Sequence, residues 1–183
     1  MDRAYFERYC QRGPYAEIWR DHSGIENCLE SFRRMRLRPS SVLVLGTATG
    51  EVLAEFERIC HVRPYGCELS PWAHARIPAR LRRRVRRADL RRYVPALVRA
   101  QQRFELVFSN SLVYLEERDV APVLRDCARI GDWFHFWSST SDDYEAGDRY
   151  RTLLRSRAWW RKKFVQAGFA PTRSRYLWRA PRE

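Results

Sequence analysis

The sequence predicts an α/β fold, a mostly parallel sheet of about six strands layered between helices, with a helical cap at the N-terminus. Three observations predict it. Short apolar runs alternate with longer stretches of helical spacing, the pattern of strands joined by crossovers. Several of those runs are continuously apolar, as strands covered on both faces are. And 183 residues, 45% of them hydrophobic, suffice for one full core and not comfortably for two. The chain is read as a single domain over 1–183, with a cap segment over 1–38 and an α/β core over 39–183.

The cap carries Tyr5, Phe6, Tyr9, Tyr15 and Trp19 among charges, then a helix from Gly24 to about Met35 with Ile25, Leu29 and Phe32 on one face. It reads as a segment laid across the sheet's edge. Residues 41–45 (Ser-Val-Leu-Val-Leu) form a buried strand ended by Gly46, and Val52, Leu53, Phe56 and Ile59 then recur at helical spacing. A second strand over Pro64–Leu69 leads into a helix opened by Ser70 as N-cap and Pro71 at the first helical position. A short third strand, Arg84–Ala88, ends at Asp89. The fourth is Phe104–Ser109, followed by a helix from about Arg118 to Ile130, and the fifth is Asp132–Ser138. A last helix, Ala158–Ala167, stops at Gly168, and a final strand runs from about Thr172 to Trp178.

The net charge is +13, and Lys162 and Lys163 are the only lysines among the 35 basic residues. Much of the excess lies between Arg76 and Arg92. Such a run reads first as a solvated helix face and strand edge, and second as a basic groove for RNA or another acidic partner. The five cysteines are an odd number without a C-x-x-C pair, so neither a disulfide framework nor a zinc site is expected. No apolar run reaches the roughly 18 residues of a membrane span, and no secretory signal is visible. A cytoplasmic protein is expected. Of Trp159 and Trp160, one is expected to pack on the sheet and the other to stay partly exposed.

The turn Gly46-Thr47-Ala48-Thr49-Gly50 sits between strand and helix, the geometry with which nucleotide folds bring main-chain amides close to a ligand. Gly46 and Gly50 take the first and third positions; Ala48 takes the middle one, where a larger side chain would block the ligand. Two glycines also occur in such turns for packing alone, so the carboxylates that follow matter. Glu68 stands at the predicted end of the second strand, where it can accept both ribose hydroxyls of a nucleoside. Asp89, after the third strand, can receive the exocyclic amine of adenine, or can serve as an ordinary helix N-cap. Together these give a Rossmann-like three-layer α/β/α sandwich.

On these residues the chain resembles the class I S-adenosylmethionine-dependent methyltransferases, over roughly residues 40–178. Val42–Gly50 looks like the family's first motif and Gly66–Ala73 like its ribose-holding segment. Phe104–Leu115 is similar to its fourth strand and following loop, and Trp159–Phe169 resembles its late helix. The resemblance implies S-adenosylmethionine as cofactor. Gly46, Thr47, Ala48 and Gly50 would line its methionine part, Glu68 would hold the ribose and Leu69 would pack on adenine. Asp89 with Leu90 would read the adenine edge, while Asn110 and Ser111 would face the sulfonium and the acceptor. The implied activity is methyl transfer to a small-molecule acceptor. An RNA methyltransferase, or a non-catalytic binding protein using the Arg76–Arg92 face, are the alternatives.

Three departures stand out. The acidic residue near the first motif is missing, with Leu43 and Leu45 in the nearby strand positions. Only about fifteen residues follow Gly168, which suits one strand better than the family's closing pair. The Ser109-Asn110-Ser111 segment is neither the Asn/Asp-Pro-Pro-Tyr/Phe loop of amino-group methylation nor a Pro-Cys nucleophile. In-line displacement at a sulfonium methyl rests largely on positioning, with a base needed only for a protonated acceptor. His22 and Asp142, with Asp143, are the candidates for that base or for acceptor contact, and Tyr15 for a lid. His135, inside the fifth strand, reads as a core histidine.

Overall fold

The computed structural model describes residues 3–8, 23–138, 140–141 and 150–181. The apolar runs become the strands β1 (Ser41–Leu45), β2 (Arg63–Glu68), β3 (Val85–Arg87), β4 (Phe104–Ser109) and β5 (Gly131–Phe136), all paired in parallel. Two short strands, β6 (Ala170–Pro171) and β7 (Leu177–Arg179), complete a sheet of order β3-β2-β1-β4-β5-β7-β6. Strand order reverses at β1, which pairs with β2 on one side and β4 on the other. Such a reversal opens a crevice at the carboxyl ends of the strands.

Alternate residues of each strand point to opposite faces, and each face has its own core. Val42, Val44, Leu106 and Phe108 pack against α2 (Ser23–Met35) and α3 (Glu51–Cys60), through Ile25, Cys28 and Phe32 of the first and Leu53 and Phe56 of the second. Leu43, Leu45, Val107, Phe134 and Phe136 share the other core with residues of α6 (Leu90–Arg99), α7 (Glu117–Ile130) and α8 (Arg157–Gln166). Within it Phe164 stacks on Trp178 with ring centroids 4.6 Å apart. Trp160 is buried against Phe136, whereas Trp159 is half-buried with the Lys163 ammonium 4.9 Å from its ring. The tryptophan pair divides as expected.

Three expectations change. The sheet has seven strands, so the closing antiparallel pair is present. It fits because β6 is only two residues long, pairing Ala170 with Arg179 and Pro171 with Trp178. The cap helix α2 does not lie on the sheet's edge. Its apolar stripe covers a face, and a Ser31–Ser174 hydroxyl hydrogen bond of 2.7 Å ties it to the chain before β7. Finally, the basic run divides among α4 (Pro71–Arg76), α5 (Ala79–Arg82), β3 and the start of α6. Arg80 and Arg84 both pair with Glu57, Arg91 pairs with Asp89 and Asp119, and the Arg76 guanidinium lies 3.6 Å from the Trp72 ring centroid. The run therefore forms no single helix face.

His135 is wholly buried on the α2 side of β5, stacked on Phe108 at 5.3 Å. Burial pushes its pKa down to about 3, with the Asn27 main chain opposing. The folded protein therefore keeps this ring neutral while the unfolded chain protonates near pH 6.5. The stability linked to it is complete above that pH and falls as the pH drops from 6.5 toward 3. Urea unfolding of the parent should lose about 1.4 kcal/mol more than that of His135→Leu between pH 7.5 and pH 5.5. Equal losses in the two proteins would contradict this placement.

Candidate functional site

The carboxyl ends of β1, β2, β4 and β5 stand in register, with Leu45 opposite both Cys67 and Ser109, and Ser109 opposite Phe136. The segments that follow these strands surround a cavity of about 650 Å³, well inside the range of cofactor sites. Gly46, Ala48, Glu68, Leu69, Asp89, Leu90, Asn110 and Ser111 all line it. Thr47 and Gly50 do not line it. Thr47 is buried with its methyl group over Gly66, and Gly50 caps α3 beside Ile77. Both shape the turn from behind.

The turn is built from left-handed residues, with φ of +81° at Gly46, +49° at Ala48 and +97° at Gly50. A Cβ on Gly46 would collide with the side chain of Ser111, so this position admits only glycine. The Gly46 and Thr47 amides both donate to the Cys67 carbonyl, at 3.0 and 3.2 Å. These bonds hold the turn against the end of β2.

Glu68 is the last residue of β2 and 5% exposed. Its Oε2 accepts from the Ala48 amide at 2.8 Å and its Oε1 from the Ser70 amide at 2.8 Å. One carboxylate thus ties the turn after β1 to the turn after β2. Burial pushes its pKa up, while the Ser70, Ala48 and Leu69 amides pull it down. Each oxygen retains acceptor capacity for a further donor.

Asp89 is the helix N-cap that its sequence position allowed. It caps α6, accepting from the Arg91 amide at 2.9 Å, and it also lines the cavity. The Arg91 guanidinium reaches both of its oxygens and holds its pKa below the ordinary carboxylate value. Asn110 is oriented by two carbonyls: its amide nitrogen donates to Ser109 O at 3.2 Å and Trp137 O at 2.8 Å. That orientation is assigned from the hydrogen-bond network, and Asn110 lies on the cavity wall.

Much of the rest of the cavity wall, Tyr114 excepted, lies outside the sequence motifs. Tyr5 and Phe6 of α1 (Arg3–Phe6) line it with Tyr114 and Trp137. The Tyr5 and Tyr114 hydroxyls lie 2.7 Å apart, and Phe6 stacks on Trp72 at 5.6 Å. Arg151 and Arg155 come from an irregular segment held by the Leu153 amide donating to Val113 O at 3.0 Å. Arg155 pairs with Glu117 at 3.0 Å. The aromatic content of the cap was the available signal for Tyr5 and Phe6; for the two arginines there was none. Tyr15, His22, Asp142 and Asp143 lie outside the described residues. No helix among the described residues is long and apolar enough to cross a membrane.

No protein-family model matches the sequence, and no curated protein matches it. Solved structures do. The N-terminal domain of EvdMO1, crystallised with S-adenosylhomocysteine and D-fucose, is 20% identical with a TM-score of 0.60, over 86% of this chain and 83% of that one. A SAM-dependent methyltransferase from Archaeoglobus fulgidus is 14% identical with a TM-score of 0.68, over 92% and 75%. A chain from the complex of the Haloferax volcanii Trm112 methyltransferase activator with a methyltransferase is 16% identical with a TM-score of 0.67, over 99% and 98%. At these identities the likeness establishes the fold, that of the class I S-adenosylmethionine-dependent methyltransferases.

In Glu68→Gln one acceptor oxygen becomes an amide group that must face a main-chain N–H. Urea unfolding should show a loss of about 1–3 kcal/mol; unchanged stability would contradict the bridging role.

Proposed function

We propose that this chain is a methyltransferase that binds S-adenosylmethionine at the β1–β2–β4 crevice and methylates a small molecule. The observation that carries the reading is the buried Glu68 carboxylate, fixed by two amides on the cavity wall. Beyond tying the two turns, each oxygen keeps acceptor capacity for a hydroxyl donor, which a purely structural bridge does not require. Glu68 accepts the ribose hydroxyls, Leu69 lies against the adenine ring and Asp89 receives its amine. Asn110, on the cavity wall at the end of β4, faces the methionine end, where the acidic residue of the first motif is missing.

Bound S-adenosylmethionine would supply a methyl group on a sulfonium, open to in-line displacement. The task of the protein is then to hold the acceptor in line and exclude water. Tyr5, Phe6, Tyr114 and Trp137 suit that task, since aromatic walls desolvate a ring-sized acceptor and fix its plane. An aromatic wall of this kind favours a small molecule over RNA. The Arg76–Arg92 run is also spread over four elements, with Arg80, Arg84 and Arg91 held in ion pairs, which breaks up the basic surface.

Titration calorimetry with S-adenosylhomocysteine and S-adenosylmethionine tests the reading. One-to-one binding at micromolar concentration is expected, weakened at least about tenfold in Glu68→Ala. Absence of heat up to about 1 mM ligand would contradict it.

A further inference from the structure

We propose that Arg91 is the positioning residue for the adenine end of this site: it locks Asp89 as the acceptor of the exocyclic amine and, with Leu69, walls the ring. The inference rests on the cofactor reading above and concerns a residue outside the motifs that suggested it.

Arg91 makes three kinds of contact at once. Its Nη2 and Nε donate to Asp89 Oδ2 at 2.6 and 3.0 Å, and Nε also reaches Oδ1 at 3.1 Å. Its Nη1 donates to Asp119 Oδ2 on α7 at 3.1 Å. Its own main-chain amide is the one that Asp89 caps. The fork matches the carboxylate plane, so Asp89 has one orientation, tethered through Arg91 to a second helix. Nε is shared between the two oxygens, which leaves Oδ2 room for one further donor. An exocyclic amine is such a donor; a 6-oxo group is not.

The wall has a second component. Leu69 is 54% exposed, one of only two large apolar side chains among the described residues left so open. It lines the main cavity and, with Arg91, the adjoining recess formed by Arg87, Ala88, Asp89 and Arg92. An open leucine and a delocalised guanidinium on one recess suit a flat, electron-rich ring, the first by burial and the second by stacking. The opposite possibility is that Arg91 competes with the ligand for Asp89. The two differ in sign.

The test compares S-adenosylhomocysteine with its deaminated, 6-oxo analogue by calorimetry on the parent, Arg91→Ala and Asp119→Asn, with thermal melting in parallel. The parent should prefer the amine by at least about tenfold. Arg91→Ala should weaken S-adenosylhomocysteine about tenfold and bring the preference close to unity, with the melting temperature little changed because Arg91 is exposed. Asp119→Asn, which keeps Asp89 and Arg91, should fall between them. A parent that binds S-adenosylhomocysteine while Arg91→Ala binds it equally or more tightly, with the preference intact, overturns this inference alone. A parent that binds neither compound overturns the cofactor reading and this inference with it.

Discussion

The site depends on one carboxylate accepting two main-chain hydrogen bonds. Glu68 sits where β2 runs out, and its oxygens take the Ala48 and Ser70 amides. Those donors belong to the turns after adjacent strands, so the same bonds that satisfy a buried charge also set the spacing of the two turns. An unpartnered carboxylate at this depth would cost several kcal/mol or take up a proton. The unusual backbone around it follows. Ala48 adopts a left-handed φ, disfavoured for a residue with a Cβ, and its amide meets Glu68 from that conformation. The turn is strained locally and held by its partner across the sheet.

The sheet makes this possible by reversing its strand order at β1. Parallel pairing of β1 with both β2 and β4 brings Gly46, Glu68 and Asn110 to the same end of the molecule. Each contributes something different there: a glycine that lets Ser111 approach, an anion, and an amide whose nitrogen is occupied by carbonyls. The two apolar cores on either face keep these ends rigid. His135, which the sequence already places in the core, belongs to that support, buried against Phe108.

What could be read from the sequence follows from how local each signal is. β1, β4 and the turn between β1 and α3 are legible because continuous apolar runs and paired glycines are local patterns. Glu68 is legible because its distance from the turn is set by one crossover. The β6–β7 pair was not, because two residues suffice for a strand once Gly168 has reversed the chain, and two residues carry no period. The position of α2 on a face rather than an edge was not legible either, since an apolar stripe says that a helix is covered and not by what. Arg91 is the clearest case: within an arginine-rich run nothing marks it, and its role comes from Asp119, 28 residues away. Asp89 shows the converse: a helix cap that also lies on the cavity wall, two placements that local sequence rules do not join.

Amide hydrogen exchange at Ala48 and Ser70 tests the Glu68 bridge most directly. In the parent both amides should exchange slowly, together, in the absence of any ligand. In Glu68→Gln at least one should exchange at least about tenfold faster, while the β1 and β4 amides keep their protection. Fast exchange at both positions in the parent, or unchanged exchange at both in the variant, would show that the two turns are held by something other than this carboxylate.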